Sequence, residues 1–123
     1  MQAALLNEAL SLYAEGYASA DDIDKAVRDG LGLRWAFMGP FETIDLNAPG
    51  GVADYAARYG DVILEQVRSQ APREWSADVV ARLTAERRAA LPAAELDARQ
   101  AWRDRRLMAL AVHRREMHAT DNS

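Results

Sequence analysis

Residues 30–47, with the sequence GLGLRWAFMGPFETIDLN, contain the change of pattern on which the fold prediction rests. Gly30 and Gly32 follow a short helical pattern and are predicted to end it. No helical period is legible over residues 33–39, so this bulky and apolar stretch is predicted to be a connection. Pro40 suits the first position of a new helix, where its missing N–H is not needed.

On the amino-terminal side, apolar residues recur at the spacing of one helix face, which predicts a heavily buried first helix. That stripe contains Leu6, Ala9, Leu10, Tyr13 and Tyr17. Ser19, with Asp22 three positions later, predicts an N-cap for a second short helix that reaches Leu31.

On the carboxyl-terminal side, the helix that begins at Pro40 is expected to stop near Ala48. A longer apolar stripe predicts a helix from Val52 to about Gln70. Ser76 is predicted to cap a helix that ends at Pro92. A last helix is expected over residues 93–117, and no strand alternation is visible anywhere, so the predicted fold class is all-α.

The tyrosines of the first and the long helix are predicted to be core residues rather than stacking surfaces for a nucleotide; they are Tyr13, Tyr17, Tyr55 and Tyr59.

The run from Leu107 to Val112 is apolar all round the last helix, so one buried face cannot account for it. A second surface is therefore expected to cover the remainder. The residues predicted to form a homodimer interface are Trp102, Leu107, Leu110 and Ala111. Residues 120–123 are predicted to be a frayed tail.

The bulk composition restricts the class of protein. A chain of 123 residues fits one domain with one core, taken here as residues 1–119. The absence of cysteine excludes a disulfide framework and a thiolate metal site, and no apolar run is long enough to cross a membrane, so a cytoplasmic location is expected. Of the net charge of −4, residues 71–123 contribute +2, with ten basic and eight acidic side chains. This mixture favours a salt-bridged helix surface over a nucleic-acid footprint.

The stretch from Gly30 to Asn47 resembles the C-terminal domain of 3-hydroxyacyl-CoA dehydrogenases, and it looks most like the branch that contains lambda-crystallin and L-gulonate 3-dehydrogenase. Residues 7–10, 18–24 and 99–104 carry further similarity. The resemblance implies a helical bundle of the 6-phosphogluconate dehydrogenase C-terminal type, which dimerises and closes over the substrate. It also implies an oxidoreductase that uses NAD, bound by an N-terminal Rossmann domain that this chain does not contain.

The departures from the family pattern concern catalysis. No Gly-x-Gly-x-x-Gly phosphate loop is present, because Gly30-Leu31-Gly32 lacks the third glycine and ends a predicted helix. The family's catalytic His and Glu belong to the other domain, and its catalytic Asn would align just before Met1. The chain alone is therefore expected to bind no NAD, to carry no catalytic residue and to be inactive.

Arg34 is the strongest functional candidate, because an arginine in an apolar connection can bind a carboxylate or phosphate through its planar guanidinium. The alternative is a salt bridge to a local acid such as Asp29. If Arg34 faces the cleft, a small anionic hydroxy acid is favoured over a long acyl thioester, although hydroxyacyl-CoA, gulonate and related hydroxy acids all stay open. The predicted substrate-binding residues are Arg34, Trp35, Met38, Gly39 and Pro40.

The remaining polar residues have simpler interpretations. His113 and His118 lie near the end of the last helix, where a cation complements the helix dipole. Asp21, Asp22 and Asp24 lie at a helix start, so capping is favoured over a metal site. For Glu42 and Asp45, stabilisation of a helix start is favoured over contact with the substrate. A rival function is a free-standing helical module that binds protein or nucleic acid through the arginines after residue 71. The favoured interpretation includes no nucleic-acid, membrane or metal partner.

Overall fold

The structure, a computed structural model, describes residues 1–121, and these residues form helices and no strand. Its elements are α1 (Gln2–Ala14), α2 (Ala20–Ala26), a single π-helical turn (Val27–Leu31), α3 (Gly32–Trp35), α4 (Pro40–Leu46), α5 (Gly51–Ser69), α6 (Ala77–Ala90), a 3-10 turn (Ala93–Glu95) and α7 (Leu96–Asp121). The all-α prediction is confirmed. No helix in residues 1–121 is both long enough and apolar enough to cross a membrane.

Contacts divide the chain into two units, the first comprising Met1–Val80 and the second beginning at Ala81. The sequence analysis treated residues 1–119 as one domain with one core. Within the described residues, the buried apolar side chains all belong to the first unit. They are Leu10, Tyr13, Ala20, Ala48 and Val79. Neither α5 nor α7 contains a buried residue, although these are the two longest helices.

Three predicted helix starts are confirmed. The Ser19 side chain accepts a hydrogen bond from the backbone N–H of Asp22 at 3.1 Å, which makes Ser19 the N-cap of α2. Pro40 occupies the first turn of α4, after Gly39 as N-cap. The Ser76 carbonyl accepts from the N–H of Val80 at 2.9 Å, and its hydroxyl lies 3.4 Å from the N–H of Val79, so α6 begins where the sequence indicated.

The prediction that Gly30 and Gly32 end the second helix is wrong. The helical path continues from α2 through the π-turn Val27–Leu31 into α3, which reaches Trp35. Only residues 36–39 of the expected connection are therefore non-helical. The pattern is lost at this point because a π-turn contains one residue more than an α-turn, so the apolar period is out of register on its two sides.

The expected burial of the first helix and of the tyrosines is only partly correct. In α1 only Leu10 and Tyr13 are buried, whereas Leu6 is exposed. Tyr17 lies after the end of α1 and is 74% exposed, and Tyr59 on α5 is also exposed. The aromatic rings of Tyr55 and Tyr59 contact each other, with centroids 4.9 Å apart. An apolar stripe indicates which face of a helix avoids water, but it does not show whether this chain supplies the cover.

The carboxyl-terminal end of α7 extends beyond the predicted position. The helix was expected to end at about Met117, with a frayed tail over 120–123, and it continues to Asp121. The rest of that predicted tail, residues 122–123, lies outside the described residues.

Candidate functional site

The predicted substrate-binding residues lie on one continuous stretch of the first unit, Leu33–Phe41, called here the aromatic segment. It comprises the end of α3, the connection to α4 and the first residues of α4. Four large apolar side chains of this segment are exposed: Leu33 (62%), Trp35 (42%), Phe37 (51%) and Phe41 (78%). Arg34, Gly39 and Pro40 are also exposed, and Met38 is half-buried. So much apolar surface in nine residues is typical of a face that another surface or a ligand covers.

The guanidinium of Arg34 has no carboxylate within ion-pairing distance among residues 1–121. Asp29, the local acid considered as its partner, is bound by Arg28 instead, through Nε–Oδ1 and Nη2–Oδ2 contacts of 2.7 and 2.8 Å. This two-bond pair holds the pKa of the Asp29 carboxyl below its usual value of 3.8. Asp29 is therefore ionised and engaged at neutral pH, which leaves Arg34 available to an external anion.

The start of α4 fixes the far end of the aromatic segment. The carbonyl oxygen of Gly39 accepts two hydrogen bonds from Thr43, one from its N–H at 3.0 Å and one from its hydroxyl at 2.8 Å. Thr43 is buried. No atom lies within 4 Å of where a Cβ on Gly39 would stand, so there is open space beside this backbone. The sequence analysis did not select Thr43, since a threonine inside a helix carries no distinctive signal.

Asp45 stabilises a helix start, but it is the start of α5 rather than that of its own helix. Its Oδ1 accepts a hydrogen bond from the N–H of Val52 at 2.9 Å. Gly51 lies between them with a positive φ of 69°, and a Cβ there would stand 2.5 Å from the same Oδ1. At the same helix start, Arg58 first and the Gly50 N–H second hold the pKa of Asp54 below its usual value. Glu42 lies in the first turn of α4, as predicted.

The acidic start of α2 is explained by local contacts. Asp22 takes part in the Ser19 cap, and Asp21 forms an ion pair with Lys25 at 2.5 Å. Across residues 1–121 no group of three His, Cys, Asp or Glu side chains is arranged to hold a metal ion. His113 and His118 are exposed on α7.

The predicted interface residues lie on two sides of α7. At about 100° per residue, Leu107, Leu110 and Ala111 share one face, whereas Trp102 lies about 140° from Leu107, on the side of Ala109. Trp102, Leu107 and Ala111 are exposed, and Leu110 is half-buried. The guanidinium of Arg99 lies over the Trp102 ring at 3.6 Å from its centroid, and that of Arg106 at 5.6 Å. Trp102 and Leu107 therefore face different directions on α7.

Residues 1–91 match the family described as the C-terminal domain of 3-hydroxyacyl-CoA dehydrogenase. The chain belongs to this family. The match covers the whole first unit, and hence the aromatic segment, and it ends before α7. Family membership does not favour the rival interpretation as a free-standing nucleic-acid module.

Several curated relatives match nearly the whole chain. The chain is 38% identical to a lambda-crystallin homolog of Rattus norvegicus over 120 residues, which are 95% of this chain and 37% of the relative. It is also 38% identical to an L-carnitine dehydrogenase of Pseudomonas aeruginosa, over 94% of the chain and 36% of the relative. A 3-hydroxyacyl-CoA dehydrogenase of Gibberella moniliformis is 41% identical over 65% of the chain and 23% of its own length. The chain thus spans between about a quarter and little more than a third of the length of these curated relatives.

NAD, the cofactor that the 3-hydroxyacyl-CoA dehydrogenase family implies, does not fit the residues present here. A dinucleotide is bound where a strand meets a helix through a glycine-rich loop, and the described residues contain no strand. Gly30 and Gly32 lie inside a helical turn, and the space beside Gly32 is filled by the carbonyl of Val27. No step that involves the nicotinamide can therefore be assigned to residues of this domain.

Proposed function

We propose that this chain is the helical domain of an NAD-dependent 3-hydroxy acid dehydrogenase, in which a separate Rossmann domain binds NAD and carries the catalytic His and Glu. In the complete protein the aromatic segment forms one wall of the substrate pocket, and α7 forms a homodimer interface. The chain by itself is then inactive. The proposal includes a cytoplasmic location, with which the lack of cysteine is consistent.

One observation supports the pocket most strongly, namely the exposed guanidinium of Arg34 within an exposed apolar stretch. An unpaired arginine among apolar side chains is costly to cover, because a second surface would remove it from water without a counter-charge. A bound carboxylate removes that cost, and two parallel N–H···O bonds to Arg34 would also orient the substrate. Trp35, Met38 and Pro40 then exclude water, while the open space at Gly39 admits the ligand.

The positive charge of Arg34 indicates the substrate class. A small hydroxy acid presents a carboxylate a few atoms from its reacting hydroxyl, whereas an acyl thioester carries no charge there. L-carnitine, the compound for which one relative is named, is itself a hydroxy acid with a free carboxylate. The runner-up is a 3-hydroxyacyl-CoA, as the name of the Gibberella relative suggests, which would connect the enzyme to fatty acid metabolism. For that substrate the aromatic segment would contact the acyl chain.

The substitution Arg34→Met in the complete dehydrogenase tests this role. We expect KM for short anionic 3-hydroxy acids to rise by about tenfold to a hundredfold, because a charge-assisted pair of hydrogen bonds is lost. Steady-state NAD reduction with a panel of hydroxy acids gives KM and kcat separately. A rise confined to KM indicates loss of uniform substrate binding.

The matched control is Arg68→Met, which removes another exposed arginine of the first unit, outside the aromatic segment. It should leave KM within about twofold. Equal kinetics for wild type and Arg34→Met on every carboxylate, or equal losses in the two variants, would contradict the role of Arg34. If the preferred substrate is a hydroxyacyl-CoA and Arg34→Met has no effect on it, the acyl thioester alternative is supported instead.

A further inference from the structure

The helical path from α2 to α3 contains one π-turn, and this turn determines where Arg34 lies around the helix. Single π-turns inside α-helices are rare and occur frequently at functional sites. The N–H of Gly32 donates to the carbonyl of Val27, five residues back, instead of to the carbonyl of residue 28. One extra residue is thereby accommodated between Val27 and Gly32, directly before the aromatic segment.

An uninterrupted α-helix would place Arg34 on the inner side. Arg34 follows Val27 by seven residues, which is two α-helical turns, so both side chains would share one face. Val27 is half-buried, and with Ile23 it lines a cavity of about 360 Å³ against Leu5 and Leu6 of α1. A guanidinium on that line would lie on the side of the helix that faces α1.

The π-turn moves Arg34 off this line. Because it absorbs one residue, every later side chain is displaced by one position, which corresponds to about 100° around the helix axis. Arg34 is exposed in the structure, in agreement with this displacement. The extra residue therefore converts an inward position into an outward one.

Gly32 is the residue on which the turn depends. A Cβ at Gly32 would stand 2.9 Å from the carbonyl oxygen of Val27 and 3.6 Å from its carbon, both of them backbone atoms that cannot move alone. At Gly30, in the same turn, an added Cβ would meet no atom within 4 Å. Gly30 and Gly32, which the sequence pattern predicts to end a helix, thus have different roles.

We propose that Gly32 is a positioning residue that maintains the π-turn and so directs Arg34 toward the substrate carboxylate. This inference rests on the proposed function, because it takes Arg34 as the anion-binding group. Gly32 itself contacts no substrate. An alanine there forces the turn toward α-helical bonding, and the guanidinium rotates away from the ligand.

The kinetic test compares Gly32→Ala with Gly30→Ala in the complete dehydrogenase. Gly32→Ala should raise KM for a short anionic 3-hydroxy acid by about tenfold or more, approaching the effect of Arg34→Met, while kcat changes less. Gly30→Ala adds the same methyl group in open space and should leave KM within about twofold. NMR of the 123-residue chain follows the turn directly. Only in Gly32→Ala should the amide of residue 32 stop donating to the carbonyl five residues back and donate to the carbonyl four residues back.

A deletion provides the rescue. Removing Gly30 takes out the extra residue, so a continuous α-helix then leaves Arg34 pointing in nearly its original direction. Deletion of Gly30 in the Gly32→Ala background should bring KM back to within about fivefold of wild type, which a general loss of stability would not do. If Gly32→Ala fails to fold, deletion of Gly30 alone is the test, and a KM as high as that of Arg34→Met would overturn the inference.

The possible failures are distinguishable. If Arg34→Met raises KM but Gly32→Ala behaves like Gly30→Ala, the positioning role of Gly32 is refuted and the proposed function stands. If Arg34→Met leaves KM unchanged, the proposed role of Arg34 is refuted, and with it the reason for directing the side chain.

Discussion

At the scale of single residues, the side chains that define the aromatic segment and its surroundings act mostly on backbone groups. Thr43 binds the Gly39 carbonyl, Ser19 caps α2, and Asp45 caps α5 from seven residues upstream. Ser19 and Asp45 each accept from an N–H group of a first helical turn, which has no intrahelical partner. The Thr43 hydroxyl instead adds a second hydrogen bond to a carbonyl that already accepts from the Thr43 N–H. These helix starts are thus stabilised by short polar side chains, of which only Thr43 is buried.

Asp45→Ala tests the contact between the residues that are furthest apart in the sequence. The substitution removes the acceptor for the N–H of Val52, and we expect the free energy of unfolding to fall by about 1 kcal/mol, as for the loss of a helix cap. Urea unfolding followed by circular dichroism measures the change. Asp61→Ala, an exposed carboxylate within α5, should change stability by less than about 0.5 kcal/mol. Losses of equal size would show that Asp45 contributes only its charge.

The sequence predicts some of these caps and misses others for a physical reason. Ser19 and Ser76 bind N–H groups three residues ahead, which is a distance that a local pattern encodes. Asp45 reaches Val52 only because Gly51 adopts a positive φ and leaves the space that a Cβ would fill. The target of such a contact depends on the geometry of the turn, so Asp45 was assigned to the wrong helix start.

At the scale of elements, the helices with an unbroken local pattern were predicted well. The one helix whose path depends on an irregular backbone turn was not. The stripe from Val52 to Val67 follows one period and gives α5 within a residue or two. The period changes inside the π-turn, so α3 was interpreted as a connection, and glycines at 30 and 32 strengthened that error. Glycine favours a helix end on average, but Gly32 is required here because a carbonyl occupies the space of its side chain.

The connection between α5 and α6 is bound to α1 through two hydrogen bonds of the Asn7 side chain. Asn7 donates from Nδ2 to the carbonyl of Ala71 at 3.0 Å and accepts at Oδ1 from the N–H of Arg73 at 2.8 Å. Arg73 also forms an ion pair with Glu15, the residue that follows α1. Asn7 was noted in the sequence only as part of a family resemblance, since contacts 64 and 66 residues apart leave no local pattern.

Asn7→Leu should release this connection. Both hydrogen bonds are lost, and because the partners are exposed or only partly buried, water compensates in part, so we expect a loss of about 1 to 2 kcal/mol in unfolding free energy. Hydrogen exchange of the Arg73 amide should accelerate. Asn7→Asp keeps the acceptor for that amide and should preserve its protection. Fast exchange in the aspartate variant would show that the Oδ1 contact does not hold the connection.

At the scale of the whole molecule, two long helices have apolar faces with no buried residue. On α5 the exposed side chains of the stripe are Val52, Tyr59, Val62, Ile63 and Val67. On α7 they lie on two sides, around Trp102 and around Leu107. Soluble monomers rarely leave contiguous apolar surface of this extent in water. The proposed homodimer and the proposed nucleotide-binding domain are the two surfaces that could cover it.

Leu107→Glu tests the part assigned to a second copy of the chain. A charge on the face shared by Leu107, Leu110 and Ala111 cannot be desolvated without a partner, so we expect a dimeric wild type and a monomeric variant at the same concentration. Light scattering after size-exclusion chromatography gives the mass of each. Arg115→Gln lowers the net charge by the same one unit at an exposed position of α7, about 80° around the helix from Leu107, and should remain dimeric. Val112→Glu, on the side of Trp102, probes the second face, and loss of the dimer only in that variant would assign the contact to the other side of α7. A wild-type chain that stays monomeric at every concentration would contradict the dimer, because α7 would then be soluble with both apolar faces in water.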